Sequence, residues 1–98
     1  MYVVIFRAKI RALDDEYVRV AARMRELALT QFGCVEFQSV SEGNAEIALS
    51  YWADEASILA WKKHAEHVIA QQLGRERWYE SYCVEIAAIT RRYQYPMA

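Results

Sequence analysis

The spacing of apolar residues changes several times along this 98-residue chain, and the order of the changes restricts the fold. Residues 2–10 are rich in β-branched and aromatic side chains, with apolar residues on both faces, which predicts a strand. Through residues 17–32 apolar side chains recur at steps of three and four, as in an amphipathic helix. Acidic residues 14–16 suit the N-terminus of that helix, and Gly33 suits its C-terminal end.

Two further strands, joined by a tight turn, are predicted over residues 34–53. Gly43 and Asn44 separate them, and this dipeptide readily supplies the positive φ that a hairpin turn requires. A two-residue turn at this point would place Val40 opposite Ile47.

A second helical region and a last strand complete the chain. Asp54 is suited to cap the following helix. The helical region extends to about Trp78, with breaks predicted near His64 and at Gly74. Residues 82–93 alternate in the manner of a strand.

The order is therefore β-α-β-β-α-β, over a single domain of residues 1–98. Such a chain most economically forms a ferredoxin-like α+β fold, with a four-stranded antiparallel sheet and both helices on one face. Because the first and last strands are apolar on both faces, we expect the bare face of the sheet to pack on a second copy. The hydrophobic content of 55% also exceeds what one small core needs, which favours a homodimer.

The charge balance argues against several classes of partner. Twelve basic and 13 acidic residues give a net charge of -1 and a pI near 6.1, so no basic surface for nucleic acid is expected. Arg7 and Lys9 interrupt the apolar start of the chain, which predicts no membrane span.

The two cysteines, Cys34 and Cys83, lack the spacing of a metal site. They are predicted on the two opposite edge strands, beyond the disulfide limit of about 7 Å between Cα atoms. Their low number and the absence of a signal peptide favour a cytoplasmic location.

A family resemblance extends over essentially the whole chain, and it is most specific in residues 50–82. Trp52 ends the third strand, an acidic helix start follows, and Trp61 comes nine residues after Trp52. The sequences HAEH (64–67) and GRERWY (74–79) complete the pattern. With the element order, these residues resemble the antibiotic biosynthesis monooxygenase domain family.

The resemblance implies a dimeric α+β barrel with a ligand pocket between the sheet and the helices of each subunit. It also implies oxygenation without flavin, metal or nicotinamide, so no cofactor is expected. An electron-rich phenol or anthrone-type molecule would be deprotonated in the pocket, and its anion would react with O2. The expected ligand is therefore a small aromatic or polycyclic molecule.

Candidate catalytic residues are His67, His64 and Arg7. An imidazole with a pKa near 6.5 can act as a general base toward a phenol, and His67 is preferred over His64. The alternative for either histidine is a solvated or helix-capping role, and their spacing alone does not indicate a metal. Arg7 would stabilise a phenolate, or else pair with a glutamate. We predict that Arg7, His67 and Trp61 converge on one pocket.

Candidate substrate-binding residues are the aromatic side chains Trp61, Trp52, Tyr51 and Trp78. Large aromatics can line a site for a flat ligand, but they can equally be core. Tyr51 and Trp52 point to opposite faces of the third strand, so one of them should join the pocket or core and the other the dimer surface. Residues 74–79 form either a lid or a turn that packs aromatics on the first helix.

Three functions remain open from the sequence: a cofactor-independent monooxygenase, a non-enzymatic binding module for a hydrophobic metabolite, and a dimerisation domain whose aromatics are all core. An open pocket that contains a histidine or Arg7 would favour the first two. Haem degradation is disfavoured, because that branch of the family has an asparagine in the first strand and a histidine ten residues after the tryptophan. The corresponding residues here are Phe6 or Arg7, and Gln71.

Overall fold

The computed structural model describes residues 1–96, without the side chains of residues 65 and 66. A four-stranded antiparallel sheet with strand order β2-β3-β1-β4 carries the helices on one face, as the ferredoxin-like α+β prediction requires. The elements are β1 (Tyr2–Ile10), α1 (Asp15–Thr30), β2 (Cys34–Glu42), β3 (Ala45–Trp52), α2 (Glu55–Lys63), α3 (Ala65–Leu73), a π-helical turn (Gly74–Trp78) and β4 (Tyr79–Ala88).

Helices α1 and α2 each begin at an aspartate N-cap, as predicted. The Asp14 carboxylate accepts a hydrogen bond from the backbone N–H of Tyr17 at 2.8 Å, and Asp54 accepts one from Ser57 at 2.8 Å. These bonds satisfy backbone donors that have no partner inside the helix. The backbone N–H of Tyr17 also lowers the pKa of the Asp14 carboxyl.

The β2–β3 hairpin has the predicted register. Gly43 has a φ of 59°, which the tight turn needs and which glycine adopts without steric cost. Val40 lies opposite Ile47, and Gln38 lies opposite Leu49. The hairpin register therefore follows from the turn dipeptide.

The second helical region is interrupted at both predicted places. His64 leaves the helical conformation, with φ -60° and ψ 139°, and a new helix follows it. At Gly74 the helix widens into the π-helical turn. The last strand extends over Tyr79–Ala88, whereas the predicted strand extended over residues 82–93. At its start, an irregularity in the β1–β4 ladder pairs Ile10 with Tyr79.

Alternation along the strands decides which side chains meet the helices. In β1, Val4 and Phe6 face the helices, whereas Val3 and Ile5 face the other way. The closely packed core lies near the end of the sheet at which Trp52 pairs with Tyr2 and Cys34. It comprises Val4, Met24, Leu27, Ala28, Cys34, Trp52, Ile58 and Trp61.

The strand order places Cys34 and Cys83 on opposite edge strands, and both thiols are free, as predicted. Within residues 1–96, no helix has the length and apolar content to cross a membrane.

Candidate functional site

A cavity of about 580 Å³ lies between the sheet and the helices. Its walls come from all four strands on one side and from α1, α2, α3 and the π-helical turn on the other. Most of the lining is aliphatic or aromatic, as is typical of pockets for small organic molecules. Polar side chains also contribute to the lining, among them Arg25, Lys62 and Gln71, and two polar groups with defined geometry lie around His67 and around Glu46.

The first polar group is the imidazole of His67, which packs against Trp61. The two ring centroids are 4.2 Å apart, at an interplanar angle of 63°. The indole N–H of Trp61 donates to the Met24 carbonyl at 3.2 Å, which fixes the indole against α1. Trp61 is therefore both a core residue and a wall of the cavity. The helix break at His64 is what allows Trp61 and His67 to meet, because six residues of continuous helix would place them about 120° apart.

Burial determines the protonation state of His67. Loss of solvent lowers its pKa to about 4, and the positive charges of Lys62 and His64 add to this effect. The ring is therefore uncharged at neutral pH. Its Nδ1 is buried and has no hydrogen-bond partner among the described residues. A buried polar atom without a partner is costly, so a ligand that fills the cavity would gain by bonding to it.

The second polar group is formed by Glu46 and two tyrosines. Glu46 is 8% exposed and faces the helices from β3. The Tyr17 hydroxyl donates to its Oε1, and the Tyr79 hydroxyl donates to its Oε2 at 3.2 Å. Burial raises the pKa of Tyr17 to about 12 and raises that of Tyr79 as well, so both hydroxyls stay protonated and act as donors.

The π-helical turn positions the tyrosines. Trp78 packs edge-on against Tyr17 at 5.3 Å, and its indole N–H donates to Asp14 at 3.1 Å. Arg77 forms an ion pair with the same aspartate. The segment therefore packs aromatics onto α1, which is the docking alternative of the two predicted for residues 74–79.

A family model decides the relationship to known proteins. The model of the antibiotic biosynthesis monooxygenase family matches residues 1–73. This chain belongs to that family. Among curated relatives, the uncharacterized protein YqjZ of Bacillus subtilis is 39% identical over 92 residues, which cover 93% of this chain and 81% of the relative. The jasmonate monooxygenase of Pyricularia oryzae is 30% identical over 94 residues, covering 92% of this chain but only 44% of that enzyme.

Solved structures of low sequence identity share the fold of this family member. SnoaB, a cofactor-independent oxygenase from Streptomyces nogalater, superimposes with a TM-score of 0.73 at 17% identity, covering 98% of this chain and 97% of SnoaB. The protein Rv0793 of Mycobacterium tuberculosis gives a TM-score of 0.79 at 12% identity, covering 95% and 98% of the two chains. At these identities the likeness establishes the fold.

Of the predicted site residues in this family member, His67, Trp61 and Trp78 line the cavity. Arg7 does not, and its predicted convergence with Trp61 and His67 is wrong. The Arg7 side chain lies on the face of the sheet that bears no helices, where its guanidinium donates to Glu85 at 2.6 Å. Both partners are more than half exposed, so this surface ion pair contributes little to stability.

Three other predicted site residues also lie outside the cavity lining. Tyr51 is on the face without helices, with the Arg92 guanidinium 5.6 Å from its ring centre. Trp52 is fully buried behind Trp61, with ring centroids 5.5 Å apart, and is core. His64 lies at the helix break, and its ring is 5.3 Å from that of Phe32. The structure therefore does not support these three residues as contacts for a ligand in this cavity.

Sequence reasoning missed the group formed by Glu46, Tyr17 and Tyr79. Their positions lie on three separate elements, so no local spacing connects them. One signal was available. Glu46 and the buried Trp52 are an even number of residues apart on β3, so their side chains point to the same, helix-bearing face. A carboxylate at such a position requires partners.

No cluster of three or more histidine, cysteine, aspartate or glutamate side chains with the geometry of a metal site occurs among the described residues.

Proposed function

We propose that this protein is a monooxygenase that oxidises a flat aromatic phenol with O2, without a bound cofactor. The observation that carries the proposal is the neutral His67 imidazole at the wall of a mostly apolar cavity, whose buried Nδ1 has no hydrogen-bond partner in the part of the chain that the structure describes. Support comes from the family membership, from the jasmonate monooxygenase relative, and from the cofactor-independent oxygenase that shares the fold.

The cavity has the size and lining for such a substrate. Its volume of about 580 Å³ lies within the range of roughly 300–1,000 Å³ that is usual for small-molecule sites. Trp61 presents an aromatic wall, and Trp78 presents a second one near Tyr17. Aromatic rings pack well on such walls by offset or edge contacts.

The chemistry proceeds through the substrate's own electrons. His67 accepts the phenol proton, and the resulting phenolate transfers electron density to O2 at an activated ring carbon. A carbon–oxygen bond forms, giving a hydroperoxide once a proton is returned. The O–O bond then breaks as the C–H proton at the same carbon leaves, which yields a quinone carbonyl and one water. One oxygen atom of O2 enters the product, and the other leaves as water.

The low pKa of His67 sets an energetic condition on the first step. An ordinary phenol has a pKa of about 10, so proton transfer to an imidazole with a pKa of about 4 is uphill by about 8 kcal/mol. A turnover of about 10 per second corresponds to a barrier of about 16 kcal/mol, so the step is affordable. Attraction between phenolate and imidazolium in the low-dielectric cavity reduces the cost further.

The test uses anthrone, whose enol tautomer is a phenol, as substrate, with O2 consumption and formation of the quinone measured together. Replacement of the base, His67→Ala, should lower kcat/KM about 100-fold or more. His64→Ala removes the same side chain outside the cavity, and should retain activity. With ¹⁸O2, one labelled oxygen should enter the quinone. No oxidation above the spontaneous rate, or equal activity of the wild type and His67→Ala, would contradict the proposal.

A second variant separates binding from proton transfer. Trp61→Ala removes a cavity wall, so we expect mainly a higher KM. It should also lower the free energy of unfolding by about 3–5 kcal/mol, because the indole is also core. Chemical denaturation and steady-state kinetics on the same preparation measure the two effects.

The weak basicity of His67 favours one alternative, a binding module that holds a hydrophobic metabolite without oxidising it. In that case anthraquinone-type ligands would bind, His67→Ala would weaken binding of hydroxylated ligands, and no O2 would be consumed with any electron-rich phenol.

A further inference from the structure

The carboxylate of Glu46 has no role in the reaction described above, yet it is more than nine-tenths buried at the cavity wall. Within the described part of the chain, its hydrogen bonds come from Tyr17 and Tyr79, and no cation forms an ion pair with it. Burial of a carboxylate without a counter-charge costs stability, and a well-packed apolar residue would avoid that cost. A ligand that uses the carboxylate would account for its presence.

The hydrogen-bond inventory defines which ligand groups fit. Each tyrosine hydroxyl donates its hydrogen to Glu46, and each carboxylate oxygen can accept more than one hydrogen bond. The hydrogen-bonding positions that this group leaves open to a ligand are therefore acceptors. A hydroxyl or an amine of the ligand would satisfy it, whereas a carboxylate or a carbonyl would not.

The position of Glu46 adds a length requirement. Glu46 and Trp52 point to the same face of β3 and are six residues apart, which corresponds to about 20 Å along the strand. Trp52 packs on Trp61, and Trp61 packs on His67. Glu46 packs instead with the tyrosines near Trp78. The polar groups at His67 and Glu46 therefore lie toward opposite ends of an apolar cavity.

We propose that Glu46, Tyr17 and Tyr79 form a second polar subsite, which accepts a hydrogen bond from a hydroxyl or amine at the far end of an elongated polycyclic ligand. This rests on the proposed function, because it takes the cavity as the ligand site, and it narrows the substrate class to molecules that carry polar donors at both ends.

The experiment compares the binding of anthraquinone, 2-hydroxyanthraquinone and 2,6-dihydroxyanthraquinone, measured by calorimetry at mildly acidic pH, where the hydroxyls remain protonated. These probes share one ring system and differ in the number of hydroxyls at its ends. In the wild type, the dihydroxy compound should bind most tightly. Glu46→Gln replaces a charged acceptor with a neutral amide, and should lower the affinity for the dihydroxy compound about tenfold. It should change the affinity for anthraquinone by no more than about twofold.

Two further variants separate recognition from a structural role. Tyr79→Phe removes one donor but keeps the carboxylate, so the preference for the dihydroxy compound should be retained. Glu42→Gln makes the same change as Glu46→Gln at an exposed position on β2, and should alter none of the affinities. Circular dichroism and thermal unfolding establish that each variant is folded.

The contrary outcomes are distinguishable. If anthraquinone and its hydroxylated forms all fail to bind, the proposed function fails, and the subsite fails with it. If they bind, but Glu46→Gln weakens all three equally or none of them, only the subsite is wrong. Loss of the preference in Tyr79→Phe to the same degree as in Glu46→Gln would also overturn it, because the carboxylate would then serve only to hold the cavity together.

Discussion

At the scale of single residues, His67 links the cavity to the stability of the whole fold. Its pKa is about 4 in the folded protein, against an ordinary value of 6.5, chiefly because the ring is buried. Between these two values the unfolded chain binds a proton that the folded chain excludes. Stability therefore falls as the pH decreases from about 7 to about 4, and below that range His67 adds no further loss.

This linkage gives a measurable prediction. The titration of His67 should lower the free energy of unfolding by about 3 kcal/mol as the pH decreases from about 7 to about 4. In His67→Gln that part of the acid destabilisation should disappear, because glutamine does not titrate. Urea unfolding at a series of pH values measures it. The control His64→Gln should keep the loss that His67 causes. Parallel pH profiles for the wild type and His67→Gln would show that His67 is solvated.

The fate of Arg7 shows the limit of prediction at this scale. The first strand is apolar on both faces, so its alternation does not reveal which face the helices cover. Arg7 points to the same face of β1 as Val3 and Ile5, and in the structure this face lies away from the cavity. The position of Trp61 was easier to predict, because the inward stripe of a helix is set by its own sequence.

At the scale of elements, the sequence contained most of the information. The caps at Asp14 and Asp54, the turn at Gly43 and the helix breaks at His64 and Gly74 are local signals, and each is confirmed. Contacts between distant elements were not predictable in the same way. The group formed by Glu46, Tyr17 and Tyr79 depends on how α1, β3 and β4 pack together, which no local sequence pattern predicts.

The π-helical turn gives an element-scale prediction. A Cβ on Gly74 would lie 3.0 Å from the Tyr79 ring. That ring is held by Phe6 at 5.3 Å and by Tyr82 at 6.1 Å, so it has little room to yield. Gly74→Ala should therefore destabilise the protein by about 1–3 kcal/mol through overpacking, despite the better helix propensity of alanine.

A double-mutant cycle tests the cause of that destabilisation. With the ring removed by Tyr79→Ala, the overpacking disappears and only the propensity effect remains. Gly74→Ala in that background should then stabilise the protein by up to about 1 kcal/mol. The same destabilisation in both backgrounds, measured by urea unfolding, would rule out the contact with Tyr79 as its cause.

At the scale of the whole molecule, the face of the sheet opposite the helices remains to be explained. It carries a row of aliphatic and aromatic side chains around the ion pair of Arg7 and Glu85. The apolar members include Val3, Ile5, Val40, Ile47, Leu49, Tyr51 and Ala87. A contiguous apolar surface of this kind is characteristic of an interface.

We therefore predict a homodimer that packs through this face, with a total buried area above about 1,000 Å². Sedimentation at micromolar concentration should give twice the chain mass of 11.5 kDa. Leu49→Glu places a charge in the centre of the predicted interface, where it would be buried without a partner, so this variant should sediment as a monomer. Leu59→Glu makes the same change on α2, at a side chain that is 51% exposed, and should remain dimeric. A monomeric wild type would contradict the prediction. A dimer that Leu59→Glu disrupts and Leu49→Glu does not would instead place the interface on the helices, and Arg7 and Tyr51 would then be ordinary surface residues.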